Sequence, residues 1–268
     1  MHPRISINSS CFRGASWQEL SAAINALGVE RVSFAGTVPD PAIMRPVVET
    51  GGLRLESIVH PFLYGRQLDE GSAVIAEEQE KLSQVIGLVA SLQGGSIFLS
   101  TGGRGALSWE QAAETFSEAI APSIAEAEAA GVLLMVENTP QLYADVTITH
   151  TLRDTIILAE MAGIGVCLDV FSCWTEAGLD QLIVRAMPRC YLIQVNDYVH
   201  GDRSYPCRAV PGDGAIPLRR IFELALTAGY RGVFDLEMSG PRIDAEGHLP
   251  AARRGVEFIW DTLHSLGV

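Results

Sequence analysis

Carboxylate side chains end three of the apolar, strand-like runs in the second half of the sequence. Glu137 ends VLLMVE, Asp169 ends GVCLD and Glu237 ends GVFDLE, while Gln194 lies within the run CYLIQVND. A carboxylate beside buried apolar residues must be paired, neutralised or bound to a metal ion. No Lys follows Lys81, so Arg is the only fixed cation in this half of the chain. One divalent metal ion is the simplest partner for three carboxylates that converge.

Eight short strand-like runs alternate with eight helical patterns along the chain. The strands are predicted at residues 5–9, 31–35, 53–60, 96–100, 132–137, 165–169, 190–197 and 232–237. The helices are predicted at residues 16–28, 41–50, 69–92, 108–131, 150–162, 179–186, 217–227 and 250–266. This alternation predicts an α/β protein, a single (β/α)8 TIM barrel that spans residues 1–268. The rival is an open doubly wound sheet, but its usual G-x-G-x-x-G turn is absent.

In a barrel of this kind the chemistry gathers at the carboxyl ends of the strands, where the three carboxylates would meet. His60 ends the third predicted strand, in SIVHPF, and is expected to contact substrate or act as an acid or base. The alternative for His60 is a hydrogen bond to a loop carbonyl. Asn138 follows Glu137 and is expected to orient it. Trp174 follows a strand end and is a candidate wall of a substrate pocket. His200, in the loop YVHGDRSYPCR, is a candidate to lie over the site and contact substrate, and its alternative is a solvated loop histidine.

Composition and charge restrict the class of protein. Lys and Arg number 19 and Asp and Glu 32, so the net charge is -13, which repels nucleic-acid phosphates. The sequence holds no apolar run long enough for a membrane span and no signal-peptide pattern. The five cysteines contain no C-x-x-C pair and are expected to be reduced thiols. We therefore expect a cytoplasmic protein with no nucleic-acid and no membrane partner.

Four sequence segments resemble, in order, segments of the xylose-isomerase-like TIM-barrel superfamily, the sugar phosphate isomerase/epimerase family. They are VENTP, CLDVFS, QVND and VPGDGAIPLRRIFELALTAGYRGVFDLE. The resemblance implies one divalent metal ion held by Glu137, Asp169 and Glu237. Gln194 stands where the family has its histidine ligand, and Ser172 stands where the family has a second histidine. An all-oxygen ligand set favours Mn or Mg over zinc.

The resemblance also implies an activity, an isomerase or epimerase that acts on a keto-sugar or a related polyol. A proton would leave the carbon next to a carbonyl, and the metal would stabilise the resulting enediolate. Glu137 and Glu237 inherit the roles of the acid–base pair, and Arg203 lies in a loop where family members place a substrate-binding Arg. Arg208, in the same loop, is a second candidate for an anionic substrate group. Members of this superfamily are often homo-oligomers.

Three alternatives remain open at the level of the sequence. The same site would serve a metal-dependent lyase, a dehydratase or eliminase of an oxidised sugar, with His60 as the separate acid. A barrel that lost its metal together with the histidine would only bind a ligand. DNA-repair endonucleases of the superfamily use several metals and many histidines, and this acidic chain has six His, mostly away from the strand ends.

Overall fold

Eight parallel strands close into a barrel in the computed structural model, which describes residues 3–35 and 40–268. Neighbours around the barrel follow chain order, and the last strand pairs with the first. The barrel strands are β1 (Ile5–Asn8), β2 (Arg31–Phe34), β3 (Arg54–Pro61), β4 (Ser96–Ser100), β5 (Leu133–Glu137), β6 (Gly165–Asp169), β7 (Cys190–Val195) and β10 (Val233–Leu236). The predicted (β/α)8 TIM barrel is confirmed, and all eight predicted strands form.

Helices surround the barrel and cover its strands. They are α1 (Trp17–Ala26), α2 (Pro41–Glu49), α3 (Ser72–Ser91), α4 (Trp109–Ala130), α5 (Leu152–Ala162), α6 (Val170–Cys173), α7 (Leu179–Ala186), α8 (Leu218–Thr227), α9 (Pro241–Glu246) and α10 (His248–Ser265). A capping box begins α1, because the Ser16 hydroxyl accepts from the Glu19 amide and the Glu19 carboxylate accepts from the Ser16 amide. Gly131 ends α4 in the left-handed conformation at φ 72°.

A small apolar cluster fills the inside of the barrel and sets the direction of the side chains above it. Its buried members come from consecutive strands and are Phe98, Met135, Cys167, Leu192 and Val233. Side chains alternate along a strand, so the residue two positions on points inward again, one layer nearer the carboxyl ends. That next layer consists of Ser100, Glu137, Asp169, Gln194 and Asp235. The barrel strands thus place five polar side chains in one ring, and three of them are the candidates Glu137, Asp169 and Gln194.

One predicted strand, residues 190–197, is shorter than expected. Strand β7 ends at Val195, and Asp197–Tyr198 (β8) pairs antiparallel with Arg208–Ala209 (β9). The carboxylate of Asp197 accepts hydrogen bonds from the amides of later loop residues, so the chain turns away from the barrel at this point. The short helices α6 and α9 are further additions that the sequence patterns did not predict.

Two other findings bear on the class of protein. Within residues 3–35 and 40–268, no helix combines the length and apolar character that crossing a membrane requires. All five cysteines are buried and free, as expected for reduced thiols. The interpretation of residues 1–268 as a single domain stays a prediction.

Candidate functional site

Three carboxylates meet at the carboxyl end of the barrel. Glu137 ends β5, Asp169 ends β6, and Glu237 follows β10 directly. Each contributes an oxygen atom to a group in which all three oxygens lie within 4.8 Å of one another. Asp169 is fully buried and Glu237 is 8% exposed. The structure therefore brings together the three carboxylates that the sequence predicted to converge.

Arg208, on β9, supplies positive charge to this cluster. Its Nη2 lies 3.3 Å from Oδ2 of Asp169 and 3.1 Å from Oε2 of Glu237. The guanidinium also lies over the ring of Phe171, 5.2 Å from the ring centroid. Burial alone would lower the pKa of Arg208, but attraction to Glu237 and Asp169 raises it above its ordinary value. Arg208 therefore stays charged and neutralises part of the cluster.

One guanidinium does not balance the charge of three neighbouring carboxylates, of which Asp169 and Glu237 are buried and Glu137 is half-buried. Burial raises the pKa of Glu137 well above its ordinary value, and repulsion from Glu237 and Asp169 raises it further. Burial also raises the pKa of Glu237, although Arg208 acts in the opposite direction. Because the pKa of each of the two glutamates is raised, the cluster readily takes up positive charge, either as a proton or as a metal cation.

Gln194 provides the observation that tests whether a metal ion fits. Its Cα is in register with Asp169 on β6 and with Asp235 on β10, so its side chain points into the barrel. The side chain is fully buried, and neither Oε1 nor Nε2 has a hydrogen-bond partner among the described residues. A buried amide without partners is costly. An amide oxygen and three carboxylates form the all-oxygen donor set that Mg²⁺ and Mn²⁺ prefer, so the residues fit a divalent ion.

Asp169 is held in place from several sides. Its Oδ1 accepts hydrogen bonds from the Phe171 amide at 3.1 Å and from Nδ2 of Asn196 at 3.2 Å. Its Oδ2 accepts from the Ser172 hydroxyl at 2.7 Å. Asn138 is buried and exchanges two hydrogen bonds with the backbone of Asp169, at 2.8 and 3.0 Å. The expectation for Asn138 is thus corrected: its amide fixes the end of β6 rather than the side chain of Glu137.

Asp197 anchors the loop that carries Arg208. Its two carboxylate oxygens accept from four backbone amides, those of Tyr198, Gly212, Gly214 and Ile216, at 2.8–3.0 Å. The side chain is 1% exposed. Gly214 has no room for a side chain, because a Cβ would lie 2.3 Å from the Asp197 carboxylate. Asp197 and the P-G-D-G turn therefore hold the two-stranded sheet over the barrel mouth.

The carboxylates form the floor of a cavity of about 230 Å³, here called the mouth pocket. Its walls are mostly apolar or aromatic, and they include Tyr64, Tyr143 and Tyr205. Ser100 and Thr139 add hydroxyls to the wall, and both hydroxyls are buried without a hydrogen-bond partner in the described part of the chain. The mouth pocket thus joins a charged floor to an aromatic rim.

His60 lies outside the mouth pocket, which corrects its expected role. Its neighbours in sequence, Val59 and Pro61, line the pocket. Because side chains alternate along β3, His60 points to the opposite face, into a cleft that Glu78 and Lys81 of α3 also line. Burial lowers the pKa of His60 to about 4, so the ring is neutral at neutral pH.

Trp174, His200 and Arg203 cluster together beside the hairpin of β8 and β9 instead of lining the mouth. The Trp174 ring lies 6.1 Å from the ring of His200, and both lie about as close to Tyr198. Arg203 is exposed, and its Nη1 donates to the Tyr198 hydroxyl at 3.0 Å. The described residues that line the mouth pocket include none of the three. Their expected contact with substrate is therefore not supported by their positions.

The sequence pattern named Arg203 first, whereas the structure places Arg208 at the carboxylates, and the pattern did not indicate the three tyrosines. Both Arg203 and Arg208 lie in the segment after Asp197. Only the antiparallel pairing of Tyr198 with Arg208 decides which of them returns to the strand ends. Spacing along the chain carries no signal for that pairing, and none for tyrosines in irregular loops.

Asp235 lies in the same layer as Asp169 and Gln194, one layer below Glu237, and forms a second polar group inside the barrel. The Ser6 hydroxyl and Nδ2 of Asn8 donate to it, the latter at 3.3 Å. Burial raises the pKa of Asp235 to about 7, against the opposing effect of the Ser6 hydrogen bond. The inward side chains of β1 and β10 are thus polar at this level of the barrel.

Comparisons with known proteins agree with this architecture. A family model described as Xylose isomerase-like TIM barrel matches residues 12–261. Protein SMc04130 from Sinorhizobium meliloti 1021 is 21% identical, with a TM-score of 0.82 over 97% of this chain and 98% of that one. An L-ribulose 3-epimerase is 20% identical, with a TM-score of 0.80 over 99% and 96% of the two chains.

A third solved structure, the IolI protein with a bound zinc atom, is 13% identical. Its TM-score is 0.81, over 98% of this chain and 99% of that one. At these identities the solved structures establish the shared fold. No curated protein sequence matches the chain.

Proposed function

This chain belongs to the xylose isomerase-like TIM-barrel family, and on that premise we propose that it is a metal-dependent isomerase or epimerase. Its substrate is a keto-sugar or a related polyol, and its cofactor is one divalent ion, Mn or Mg. The similarity in fold to an L-ribulose 3-epimerase supports the reaction class. The zinc atom in the IolI structure supports a metal ion as cofactor.

One observation carries the proposal: three carboxylates, those of Asp169 and Glu237 buried and that of Glu137 half-buried, lie within 4.8 Å of one another beside a buried amide that has no partner among the described residues. We assign the ion to Glu137, Asp169, Gln194 and Glu237. When bound, it would supply Lewis acidity to a substrate carbonyl. The charge of the cluster and the orphaned amide both favour a cation at this place.

Glu137 and Glu237 are the proton carriers in this proposal. In the order of the barrel, β6 and β7 separate β5 from β10, so the two glutamates reach the mouth pocket from different sides. Asp169 and Gln194 lie on the strands between them. A substrate carbon above the cluster would therefore have one glutamate on each face, as an epimerase requires, because one face loses a proton and the other gains one.

Arg208 orients the substrate in this scheme. Its guanidinium bridges Asp169 and Glu237 and lines the mouth pocket, so its remaining N–H groups can donate to a substrate oxygen. The aromatic rim above it limits the access of water to the reacting carbon. Arg208 takes the place that the sequence analysis gave first to Arg203.

A metal-free ligand-binding barrel is a second candidate. The ion pairs of Arg208 with Asp169 and Glu237 favour it, because they already neutralise part of the charge that a metal would neutralise. The replacement of the family histidine by Gln194 points the same way. Binding of Mn²⁺ to the chelator-treated protein distinguishes the two candidates.

The lyase alternative loses its separate acid, because His60 lies outside the mouth pocket. We therefore expect Glu137→Gln and Glu237→Gln each to lower turnover on the order of 10²–10⁴-fold, the usual scale for a general acid or base. The assay is proton exchange and product formation from keto-sugars, inososes and 3-oxo-glycosides with Mn²⁺ in heavy water, followed by NMR.

His60→Gln is the control and should keep normal turnover. Near-normal turnover by Glu237→Gln would contradict the acid–base pair. Loss of water or of an aglycone as the main product, with activity surviving in Glu137→Gln, would instead identify a lyase.

A further inference from the structure

The wall of the mouth pocket carries two hydroxyls to which no described residue hydrogen-bonds. Oγ of Ser100, at the end of β4, and Oγ1 of Thr139, after β5, are buried and have no hydrogen-bond partner within the described residues. Both residues line the mouth pocket. Buried polar atoms are nearly always hydrogen-bonded, so an orphaned pair on one wall indicates a ligand that supplies the partners. Hydroxyl groups of a sugar ring fit this requirement.

Beyond the two hydroxyls, the residues that line the mouth pocket are mostly aromatic or apolar. Tyr64, after β3, is 54% exposed, and Tyr143, after β5, is 39% exposed, yet both line the mouth. Tyr205 comes from the loop after β8, and its ring lies 5.9 Å from the ring of Tyr143. The two rings are tilted by 60° to each other, so together they form an aromatic corner of the rim. Pro61, Pro140 and Val146 complete an apolar rim.

A free keto-sugar would use the floor and the hydroxyl wall and leave this rim in water. We propose that the substrate is a glycoside: its carbonyl-bearing sugar ring lies on the carboxylates with its hydroxyls on Ser100 and Thr139, and a planar aromatic aglycone lies against Tyr64, Tyr143 and Tyr205. This inference rests on the proposed function for the reaction at the sugar, but the binding of the aglycone does not depend on turnover. Aromatic rings that stack add affinity beyond the area they bury.

The test measures binding of two unreactive probes, phenyl and methyl β-D-glucopyranoside, to the full-length protein by calorimetry. The phenyl glycoside should bind about tenfold more tightly, the scale of one aromatic stacking contact. Tyr143→Ala and Tyr64→Ala should each remove most of that preference, and Tyr143→Phe should retain it. Leu142→Ala is the matched control, since Leu142 neighbours Tyr143 but is 72% exposed and outside the pocket lining.

Ser100→Ala and Thr139→Val test the wall separately. Each should weaken both glycosides by a similar factor, about two- to tenfold for a lost neutral hydrogen bond, without changing the preference for phenyl. Equal affinity of the two probes, or a preference that survives both tyrosine variants, would overturn the aglycone site. Binding as expected in a protein that exchanges no substrate proton would support this inference and contradict only the proposed reaction.

Discussion

A single arginine decides how the carboxylate cluster behaves without a metal. Arg208 contacts Asp169 and Glu237, and both carboxylates are nearly inaccessible to water. Removal of one partner from a buried ion pair costs about 3–5 kcal/mol, because the other charge is left uncompensated. Uptake of a proton by the carboxylates would offset part of that cost. Arg208 and a bound cation therefore contribute to the same charge balance.

We expect Arg208→Gln to lower the melting temperature of the chelator-treated protein by several degrees. Added Mn²⁺ should then raise it by more than it raises the wild type, because the variant has more uncompensated negative charge. Thermal unfolding with and without Mn²⁺ measures both effects. Arg203→Gln, an exposed arginine of the same loop, should change neither value. An equal gain from Mn²⁺ in the wild type and Arg208→Gln would contradict the shared charge balance.

His60 shows why a residue type at a strand end is a weak predictor. The sequence places His60 correctly at the end of β3. Side chains alternate between the two faces of a strand, however, and the ring of His60 lies on the face that points away from the mouth. A strand that is buried on both faces gives no alternation of apolar and polar residues from which to read the inward face. Glu137 and Asp169 lie two positions after the interior residues Met135 and Cys167, and Glu237 lies four positions after Val233. All three spacings are even, so alternation along the strand keeps these side chains on the inward face.

The buried His60 predicts a particular dependence of stability on pH. Its native pKa of about 4 lies below the ordinary value of 6.5. The unfolded chain therefore binds more protons between these two values, and stability is lost as the pH falls through that range. The expected loss is about 3 kcal/mol by pH 4. The free energy of unfolding of His60→Gln, measured from pH 7 to pH 4, should lack this loss.

Other groups, such as Asp235, titrate in the same range, so the comparison with wild type is what isolates His60. His264→Gln, at an exposed histidine of α10, serves as the control and should keep the wild-type profile. A variant His60→Gln whose stability follows pH just as the wild type does would refute the assignment of this loss to His60.

At the scale of elements, the barrel strands were predictable and the loops that complete the site were not. Strand β5, for example, lies in a short apolar run that follows Gly131 and ends at Glu137, and such a run predicts a buried strand. Arg208 reaches the site only through the pairing of β8 with β9, which depends on tertiary hydrogen bonds to Asp197. Local sequence does not encode such contacts.

We expect Asp197→Asn to destabilise the protein and displace Arg208. An amide keeps one acceptor oxygen and turns an NH₂ group toward backbone amides that need an acceptor. Each donor left unpaired costs about 1–3 kcal/mol. Urea denaturation measures the loss, and the affinity for substrate should fall as well. Asp213→Asn, in the same turn but paired with Arg254 at the surface, should cost less than about 1 kcal/mol.

At the scale of the whole molecule, the net negative charge agrees with a site that binds a cation. A net charge of -13 leaves the protein repelled by polyanions, which argues against the endonuclease activity found elsewhere in this superfamily. Negative potential at the mouth also favours the arrival of divalent cations. The cytoplasmic location and a homo-oligomeric state stay predictions.

The central claim is that the carboxyl end of this barrel holds one divalent ion. A Mn²⁺ titration of the chelator-treated protein, followed by electron paramagnetic resonance, tests it most directly. We predict one Mn²⁺ per wild-type chain, and no binding at the same concentrations by the double variant Glu137→Gln, Asp169→Asn, whose circular dichroism should match the wild type. A wild-type protein that binds no Mn²⁺ and no Mg²⁺, or a double variant that binds as well as the wild type, would contradict the claim.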